Sequence, residues 1–354
     1  MNKKVVGLGL ATVAVLGLAA CSSRTAKKSE SSSDSSSIKA AVITDVGGVD
    51  DRSFNQSAWE GLQAWGKDNN LEKGKGYTYF QSNSESEYIT NLDSAVSGGY
   101  NLVFGIGFAL ESAIDEVAPN NPDTKYVIVD SVVEQSNVVS VGFADHEASY
   151  LAGVAAAKST KTNHVGFIGG MQGVIIDRFE AGFVEGVKSV NKDIKITIDY
   201  AGSFADAAKG QTLAAAQYAA GADIIFHASG GTGNGVFAAA KSENESRNEA
   251  DKVWVIGVDR DQAAEGEYTS KDGKKSNFVL ASTLKQVGTS VKDIAAKAQK
   301  GEFDGGKTVR YTLKDKGVEL AETNLSEEAS KAVAAAKEDI VNGKVEIPET
   351  PKKK

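Results

Sequence analysis

Short apolar runs rich in Val and Ile alternate with Ala-rich helical stretches along almost the whole chain, from residue 39 to residue 341. Strand–helix–strand units with short loops require a parallel sheet with right-handed crossovers. The strands are continuous apolar runs, which indicates that helices cover both faces of the sheet. In the first half of the chain, strands are predicted at 39–44, 77–81, 102–105, 125–130 and 138–143, and helices at 54–70, 88–97, 109–118 and 146–158.

The same order then restarts. Strands are predicted at 164–168, 194–200, 223–227 and 253–258, with helices at 177–191, 207–219 and from 235. Late elements follow at 277–283, 287–300, 305–313 and 327–341. Two consecutive sets predict two doubly wound α/β lobes, and the late elements predict a chain that crosses between the lobes three times. Such a body binds its ligand between the lobes, at the carboxyl ends of the strands.

The patterns divide the chain into five parts. We predict a signal peptide and lipidation site at 1–21, a Ser-rich tether at 22–37, a first lobe at 38–145 plus 282–303, a second lobe at 146–281 plus 304–346, and a flexible basic tail at 347–354.

The N-terminus is typical of an exported lipoprotein. Lys3 and Lys4 precede an apolar run that is shorter than the stretch of about 20 residues that a transmembrane helix needs. The run ends in Leu-Ala-Ala-Cys at Cys21, the only cysteine of the chain. This pattern resembles a bacterial lipobox, in which the cysteine is acylated and becomes the new N-terminus. With a single cysteine, an intrachain disulfide is excluded.

Charge and composition describe the setting in which the body works. The segment 22–37 is almost entirely Ser, Lys, Glu and Asp, so it cannot bury enough apolar surface to offset its ordering entropy. The formal charge is −8, and no basic stripe is present, which argues against a nucleic acid partner. We therefore expect a body tethered to the outer face of the cell membrane, with a Gram-positive surface favoured by the long tether.

Candidate ligand-binding residues follow the strands of the first predicted lobe. Asp45 ends the first strand, and Phe54 and Asn55 open the next helix, with Ser53 or Asn55 as its cap. Turn and cap chemistry is one explanation of the polar residues and ligand binding is the other, whereas a large aromatic side chain at the cleft mouth is well placed to offer a flat face to a ring. Asp130 ends the fourth strand and is either a cleft carboxylate or an ordinary loop residue.

The second predicted lobe supplies a matching set. Phe204 follows a strand and either packs in the core or faces the cleft opposite the first aromatic residue. The glycine-rich loop 229–235, which contains Gly230, is a weak match to a dinucleotide fingerprint and fits backbone bordering a ligand as well. Asp259 and Lys285 end adjacent strands. They form either an interlobe salt bridge or a site for the vicinal hydroxyls of a sugar, with Asp259 accepting and Lys285 donating.

Several classes of function compete for this pattern. The three histidines, His146, His164 and His227, have no spacing typical of a metal site or a Ser-His-Asp set, so we expect neither an enzyme nor a bound metal or cofactor. A binding protein for a sugar or another small metabolite is one class of protein that fits the pattern. A surface sensor or adhesin that uses the same cleft is another.

A series of short strings carries a resemblance that covers the whole chain. After the lipobox come DVGGVDDRSFNQ, FGIGF, VIVDS, VGFIGGM, GSFADAAKG, ASGGTGNG, VIGVDRDQ and STLKQVG, in this order. Together they resemble the Bmp (basic membrane protein) family of substrate-binding lipoproteins, specifically its purine nucleoside receptor group, which serves ABC importers. The resemblance implies a type I periplasmic-binding-protein fold, an extracellular nucleoside as ligand, and permease and ATPase subunits as partners of a monomer.

The resemblance also implies roles for individual residues. Phe54 and Phe204 match the two aromatic positions that sandwich the base, and Asp45 and Asn55 match positions that hydrogen-bond its edge. Gly230, Asp259 and Lys285 match the positions that contact the ribose. Asp130 matches one further carboxylate of the family's site. Stacking a base on an aromatic ring contributes roughly 1–3 kcal/mol and tolerates different bases, so it suits such a receptor.

Overall fold

The structure is a computed structural model that describes residues 37–352. Cys21, the predicted signal peptide and all but the last residue of the predicted tether lie outside the described residues. The strands are β1 (Ala40–Ile43), β2 (Tyr77–Phe80), β3 (Leu102–Ile106), β4 (Lys125–Val129), β5 (Val138–Phe143), β6 (His164–Gly169), β7 (Lys195–Tyr200), β8 (Ile224–Ala228), β9 (Trp254–Gly257), β10 (Glu267–Thr269), β11 (Lys275–Asn277), β12 (Val279–Lys285), β13 (Thr308–Tyr311) and β14 (Val318–Glu322).

The helices alternate with these strands. They are α1 (Phe54–Asp68), α2 (Tyr88–Ser97), α3 (Glu111–Val117), α4 (Asp145–Ser159), α5 (Val174–Val190), α6 (Ala207–Ala219), α7 (Gly233–Glu245), α8 (Val287–Gln299) and α9 (Glu327–Val341). Within residues 37–352, every helix is too short or too polar to span a lipid bilayer.

Two six-stranded sheets form the two lobes. The first has the order β13-β5-β4-β3-β1-β2 and the second the order β14-β12-β9-β8-β6-β7. All neighbours pair in parallel except β14, which runs antiparallel to β12. The predicted pair of doubly wound α/β lobes is therefore confirmed.

Both faces of each sheet are buried, as the apolar strands predict. In β1, Ala40 and Val42 pack on one side of the sheet, while Ala41 and Ile43 pack on the other. Helix α1 covers the first side because its apolar residues recur at helical spacing, with Ala58, Leu62 and Trp65 buried.

The chain crosses between the lobes three times, as predicted. The crossings lead from β5 to α4, from β12 to α8 and from β13 to β14. Helices α4 and α9 pack with the second lobe, whereas α8 packs against α1 of the first lobe. At the contact of α1 with α8, a side chain on Gly61 would collide with the backbone of Gly288, so glycine permits this close approach.

The predicted lobe boundaries differ from the structure at two places. Residues 282–285 were expected in the first lobe but complete β12 of the second sheet, and residues 308–311 were expected in the second lobe but form β13 of the first. The cause is a missed strand. The sequence predicted one late strand, whereas β13 and β14 form an edge of each sheet, so the third crossing comes after residue 311. The hairpin of β10 and β11 was also missed, because its strands are short and polar.

The prediction of a flexible tail is wrong for residues 347–352. Ile347 is buried in the core, and Glu349 forms ion pairs with Arg178 of α5 and Arg310 of β13, each at 2.8 Å. Because α5 belongs to the second lobe and β13 to the first sheet, the C-terminal segment ties the two lobes together. Its Pro and Lys content suggested solvation, but the isoleucine and the glutamate between them determine its packing.

Deleting residues 347–354 should therefore destabilise the protein. We expect a loss of about 2–4 kcal/mol in the free energy of unfolding, most of it from the buried Ile347 and less from the part-exposed ion pairs. Urea denaturation measures this loss, with Lys352→Ala as a control because the Lys352 side chain is largely exposed in its pair with Glu185. An unchanged midpoint for the deletion would contradict the packing role.

Candidate functional site

A pocket lies between the lobes, at the carboxyl ends of the strands. Its empty volume, counted to the open side, is about 540 Å³. All eight ligand-binding residues predicted from the sequence line it: Asp45, Phe54, Asn55, Asp130, Phe204, Gly230, Asp259 and Lys285. The structure thus brings the predicted set together, and the contact that each makes with a ligand stays a prediction.

At one end of the pocket, a hydrogen-bonded loop holds Asp45. Its Oδ1 accepts from the Gly47 backbone N–H and from Asn55 Nδ2, each at 2.8 Å. Asn55 Nδ2 also donates to Asp51 Oδ2 at 2.9 Å, and Asn55 Oδ1 accepts from the Asp45 backbone N–H at 3.2 Å. Buried Asn55 therefore fixes the position of Asp45, whose other oxygen faces Gly107.

Glycine is required at position 107, which has a left-handed φ of 110°. A side chain there would approach Asp45 Oδ2 to 3.2 Å and the Phe54 ring to 3.5 Å. Backbone and ring therefore define a narrow slot beside the free oxygen of Asp45.

The aromatic residues approach the pocket from opposite lobes. Phe54 begins α1 of the first lobe, and Phe204 lies in the loop between β7 and α6 of the second. Both are half-buried, which leaves part of each ring surface available to a ligand. Phe108, from the first lobe, meets Phe204 edge to face with ring centroids 6.1 Å apart.

Carboxylates end corresponding strands of the two lobes in an unusual backbone conformation. Asp130 follows β4 with a φ of 67°, and Asp259 follows β9 with a φ of 66°. Non-glycine residues rarely adopt this region, although Asp tolerates it better than most. Such conformations persist where the surrounding structure enforces them, often at binding sites. Here the turn aims both carboxylates into the pocket.

Lys285, at the end of β12, lies among three carboxylates. Its Nζ donates to Asp130 Oδ2 at 2.6 Å and lies 3.1 Å from Asp145 Oδ1, with Asp259 also nearby. The lysine side chain is 3% exposed, and its ammonium also lies 5.2 Å from the centroid of the Phe54 ring. Asp130 Oδ1 is buried without a hydrogen-bond partner among residues 37–352, so this oxygen is available to a ligand hydroxyl.

Burial determines how these groups ionise. It raises the pKa of Asp145 to about 7 despite the attraction of Lys285, and it raises those of Asp45 and Asp259 to about 6. Burial disfavours the ammonium of Lys285, but the surrounding carboxylates outweigh this and raise its pKa above the ordinary value. One buried cation therefore faces an excess of carboxylates, and the group shares its protons.

The contribution of Asp145 to the stability of the ligand-free protein should consequently fall as the pH rises from about 4 to 7. In this range Asp145 is protonated to a greater extent in the folded state than in the unfolded chain, in which Asp titrates near 3.9, so raising the pH weakens its contribution to folding. Asp145→Asn should reduce the fall in melting temperature measured between pH 5.5 and pH 7.5. The exposed Asp123→Asn serves as the control, and an equal fall in both variants would contradict the role of Asp145.

Direct contacts across the cleft close the lobes on each other. Ser53 Oγ donates to Asp259, Arg52 pairs with Glu265, and Gln262 Nε2 donates to the Arg52 carbonyl at 3.0 Å. These contacts join the start of α1 in the first lobe to the segment after β9 in the second. The structure is therefore a closed form, and the same contacts must break when the cleft opens.

Some functional residues were missed. Asp145 begins α4 and is only the last residue of the first lobe predicted from the sequence, but it is buried against Lys285. Phe108 and Phe179 also line the pocket. The FGIGF string includes Phe108, but none of the quoted strings includes Phe179. The expectation that Ser53 or Asn55 caps α1 is wrong, because Asp51 accepts the N–H groups of residues 53, 55 and 56 and leaves the Ser53 hydroxyl for Asp259.

The glycine-rich loop divides into two parts. Gly230 and Gly231 line the pocket, whereas Gly233 and Gly235 permit close packing, since side chains there would collide with the His227 ring and the Ala207 carbonyl. His227 is buried beside Gln262, and burial lowers its pKa to about 4, which keeps it neutral. Between residues 37 and 352, no His, Cys, Asp and Glu side chains group in a way that would hold a metal ion.

Sequence comparisons identify the family of the chain. The Bmp family, described as ABC transporter substrate-binding protein PnrA-like, matches residues 38–351. The chain is 59% identical to the ABC transporter nucleoside-binding protein BmpA of Lactococcus lactis subsp. cremoris, over 98% of this chain and 99% of that protein. It is 49% identical to a CD4+ T-cell-stimulating antigen of Listeria monocytogenes over 99% and 100% of the two chains, and 33% identical to Basic membrane protein A of Borreliella burgdorferi over 88% and 87%.

Solved structures share the fold. An ABC transporter solute-binding protein from Aeropyrum pernix superposes with a TM-score of 0.76 at 24% identity, covering 89% of this chain and 94% of that one. A second, from Conexibacter woesei, gives a TM-score of 0.66 at 20% identity, covering 88% and 99%. These neighbours confirm the predicted periplasmic-binding-protein fold. The matching family consists of binding proteins, which confirms that the chain is not an enzyme. The chain belongs to the Bmp family of PnrA-like ABC transporter substrate-binding proteins.

Proposed function

We propose that this protein captures nucleosides, with a preference for purines, and delivers them to the permease of an ABC importer. The observation that carries the proposal is the pair of part-exposed aromatic residues, Phe54 and Phe204, which line one pocket from opposite lobes. A flat base stacks on both rings only when the cleft closes, so ligand binding favours the closed form.

The polar end of the pocket suits the edge of a base. Asp45 has one oxygen engaged by Gly47 and Asn55, and its other oxygen remains for a ligand. An ionised carboxylate accepts N–H donors such as those on the Watson–Crick edge of guanine or hypoxanthine. The purine preference rests on this acceptor.

The charged end of the pocket suits a ribose. Asp259 and Asp130 offer carboxylate oxygens, Lys285 offers an ammonium, and Gly230 offers backbone close to the ligand. Vicinal hydroxyls both donate and accept, so they fit a mixed set of carboxylate and ammonium groups better than a free base does. The relative from Lactococcus lactis, named as nucleoside-binding, also supports this ligand class.

The proposal extends to the place where the protein works. Leu-Ala-Ala-Cys at Cys21 supports acylation and a lipid anchor on the extracytoplasmic face of the membrane. In cells, wild-type protein should fractionate with membranes, and Cys21→Ser should weaken or abolish this association. Equal membrane retention of both forms would reject the lipid anchor.

Calorimetric titration of the body from residue 22 onward tests the ligand class. The protein is unfolded and refolded first, so that carried-over ligand is removed, and is then titrated with purine and pyrimidine nucleosides, free bases and ribose. Sub-micromolar binding of purine nucleosides, at about −8 kcal/mol or better, with bases and ribose far weaker, is the expected result. Heat with a sugar alone, or with none of these compounds, would refute the proposal.

A further inference from the structure

A second cavity adjoins the main pocket. It is larger, with an empty volume of about 1250 Å³ against about 540 Å³, both counted to the open side. The two share Phe108, Asp130 and Ile175 as lining residues, so this side cavity continues from the end of the pocket where Asp130 and Lys285 lie.

The rim of the side cavity is apolar and comes from both lobes. Val132, after β4, is 54% exposed, and Val174, at the start of α5, is 65% exposed. Phe108 and Ile175 continue the apolar wall inward to the main pocket. Two large exposed valines facing one cavity are unusual on a surface where, among the described residues, few large apolar side chains are exposed.

The charges around the side cavity are already balanced or negative. Its two cationic lining residues in the described part of the chain, Arg178 and Arg310, both bind Glu349 at 2.8 Å. Glu111, which accepts from Ser131, and Asp130 add negative charge. A phosphate would therefore meet carboxylates and arginines that are already paired, whereas an uncharged group would meet apolar walls.

The orientation of a bound nucleoside decides which of its atoms reaches this cavity. On the proposed function, the base edge lies at Asp45 and the vicinal hydroxyls lie at Asp259 and Lys285. The remaining exocyclic carbon of the ribose, C5′, is then the position from which a substituent passes Asp130 into the side cavity.

We infer that the protein accepts nucleosides that carry an uncharged substituent at the 5′ position, and that the side cavity lined by Val132 and Val174 holds this substituent. Nucleoside 5′-phosphates are excluded by the same cavity. The inference rests on the proposed function and extends its ligand class to 5′-modified nucleosides such as thioethers.

Titration of refolded protein with adenosine, 5′-methylthioadenosine and adenosine 5′-monophosphate tests the inference. The thioether should bind within about tenfold of the nucleoside, and the monophosphate should bind more than about a hundredfold more weakly. A thioether that binds as poorly as the monophosphate, or a monophosphate that binds as well as the nucleoside, would overturn it. Failure of every nucleoside to bind would instead count against the proposed function.

Variants of the rim connect the effect to the side cavity. Val174→Trp and Val132→Trp fill it from either lobe, and both positions are exposed enough to accept a larger side chain. We expect the double variant to lose about tenfold or more in affinity for the thioether while its affinity for adenosine stays within about twofold. Val341→Trp, on α9 and also exposed, is the matched control. Equal losses for both ligands, or none for either, would contradict the assignment.

Discussion

Lys285→Met should reduce nucleoside affinity by about a hundredfold or more while reducing free-base affinity far less. The ammonium is buried and is the hydrogen-bond donor to Asp130, beside Asp145 and Asp259. Removing one partner of a buried ion pair costs about 3–5 kcal/mol, because the remaining charges are left uncompensated. The ribose contacts depend directly on this group, whereas the base edge is expected at Asp45.

The same substitution also threatens folding, so binding and stability must be separated. The double variant Lys285→Met with Asp145→Asn also removes a buried carboxylate that pairs with Lys285, and it should recover part of the lost stability. It should not recover nucleoside affinity, because no ammonium returns to the pocket. Thermal melts and calorimetry on both variants measure the two effects independently.

Lys292→Met is the matched control, since this lysine of α8 is part-exposed and pairs with Asp68 away from the pocket. It should leave the affinity unchanged. Equal losses of nucleoside and free base in Lys285→Met would reject the ribose assignment, and an unchanged nucleoside affinity would reject a ligand role for Lys285 altogether.

Much of the fold was predictable because periodicity is a local property of the chain. Helices α2, α6 and α9 and strand β5 have the bounds that the apolar pattern predicted, and the strand–helix alternation implied the parallel sheets. The edge strand β14 was not predicted because most of its residues are only partly buried and two of them are glutamates. Membership of β13 in the first sheet depends on where the chain crosses between the lobes, and a local sequence pattern does not indicate this position.

The site was predictable to the extent that it lies at strand ends. Asp45, Asp130 and Asp259 follow apolar strands directly, so topology alone gathers them at one edge of each sheet. Asp145 could not be found in this way, because its role comes from a contact with a lysine far away in sequence. The interlobe bond from Ser53 to Asp259 was hidden for the same reason.

Replacing both Phe54 and Phe204 with alanine should reduce the affinity for nucleosides by a factor on the order of a thousand. Each ring removes one stacking face, and stacking contributes about 1–3 kcal/mol per base, so each single variant should lose about ten- to a hundredfold. Phe54→Trp retains a flat face and should retain most of the affinity. Phe303→Ala, which removes a half-buried ring outside the pocket, is the control.

The ligand profile distinguishes stacking from a general disturbance of the cleft. Phe204 also contacts Phe108 across the cleft, so Phe204→Ala weakens closure as well as stacking, and Phe108→Ala removes this contact while both proposed stacking rings remain. Loss of stacking affects nucleosides and free bases alike, whereas Lys285→Met affects chiefly the ribosyl compounds. If the phenylalanine variants spared free bases, or if the double variant bound nucleosides as the wild type does, the two rings would not hold the base, and the pocket would have to recognise its ligand through its polar residues.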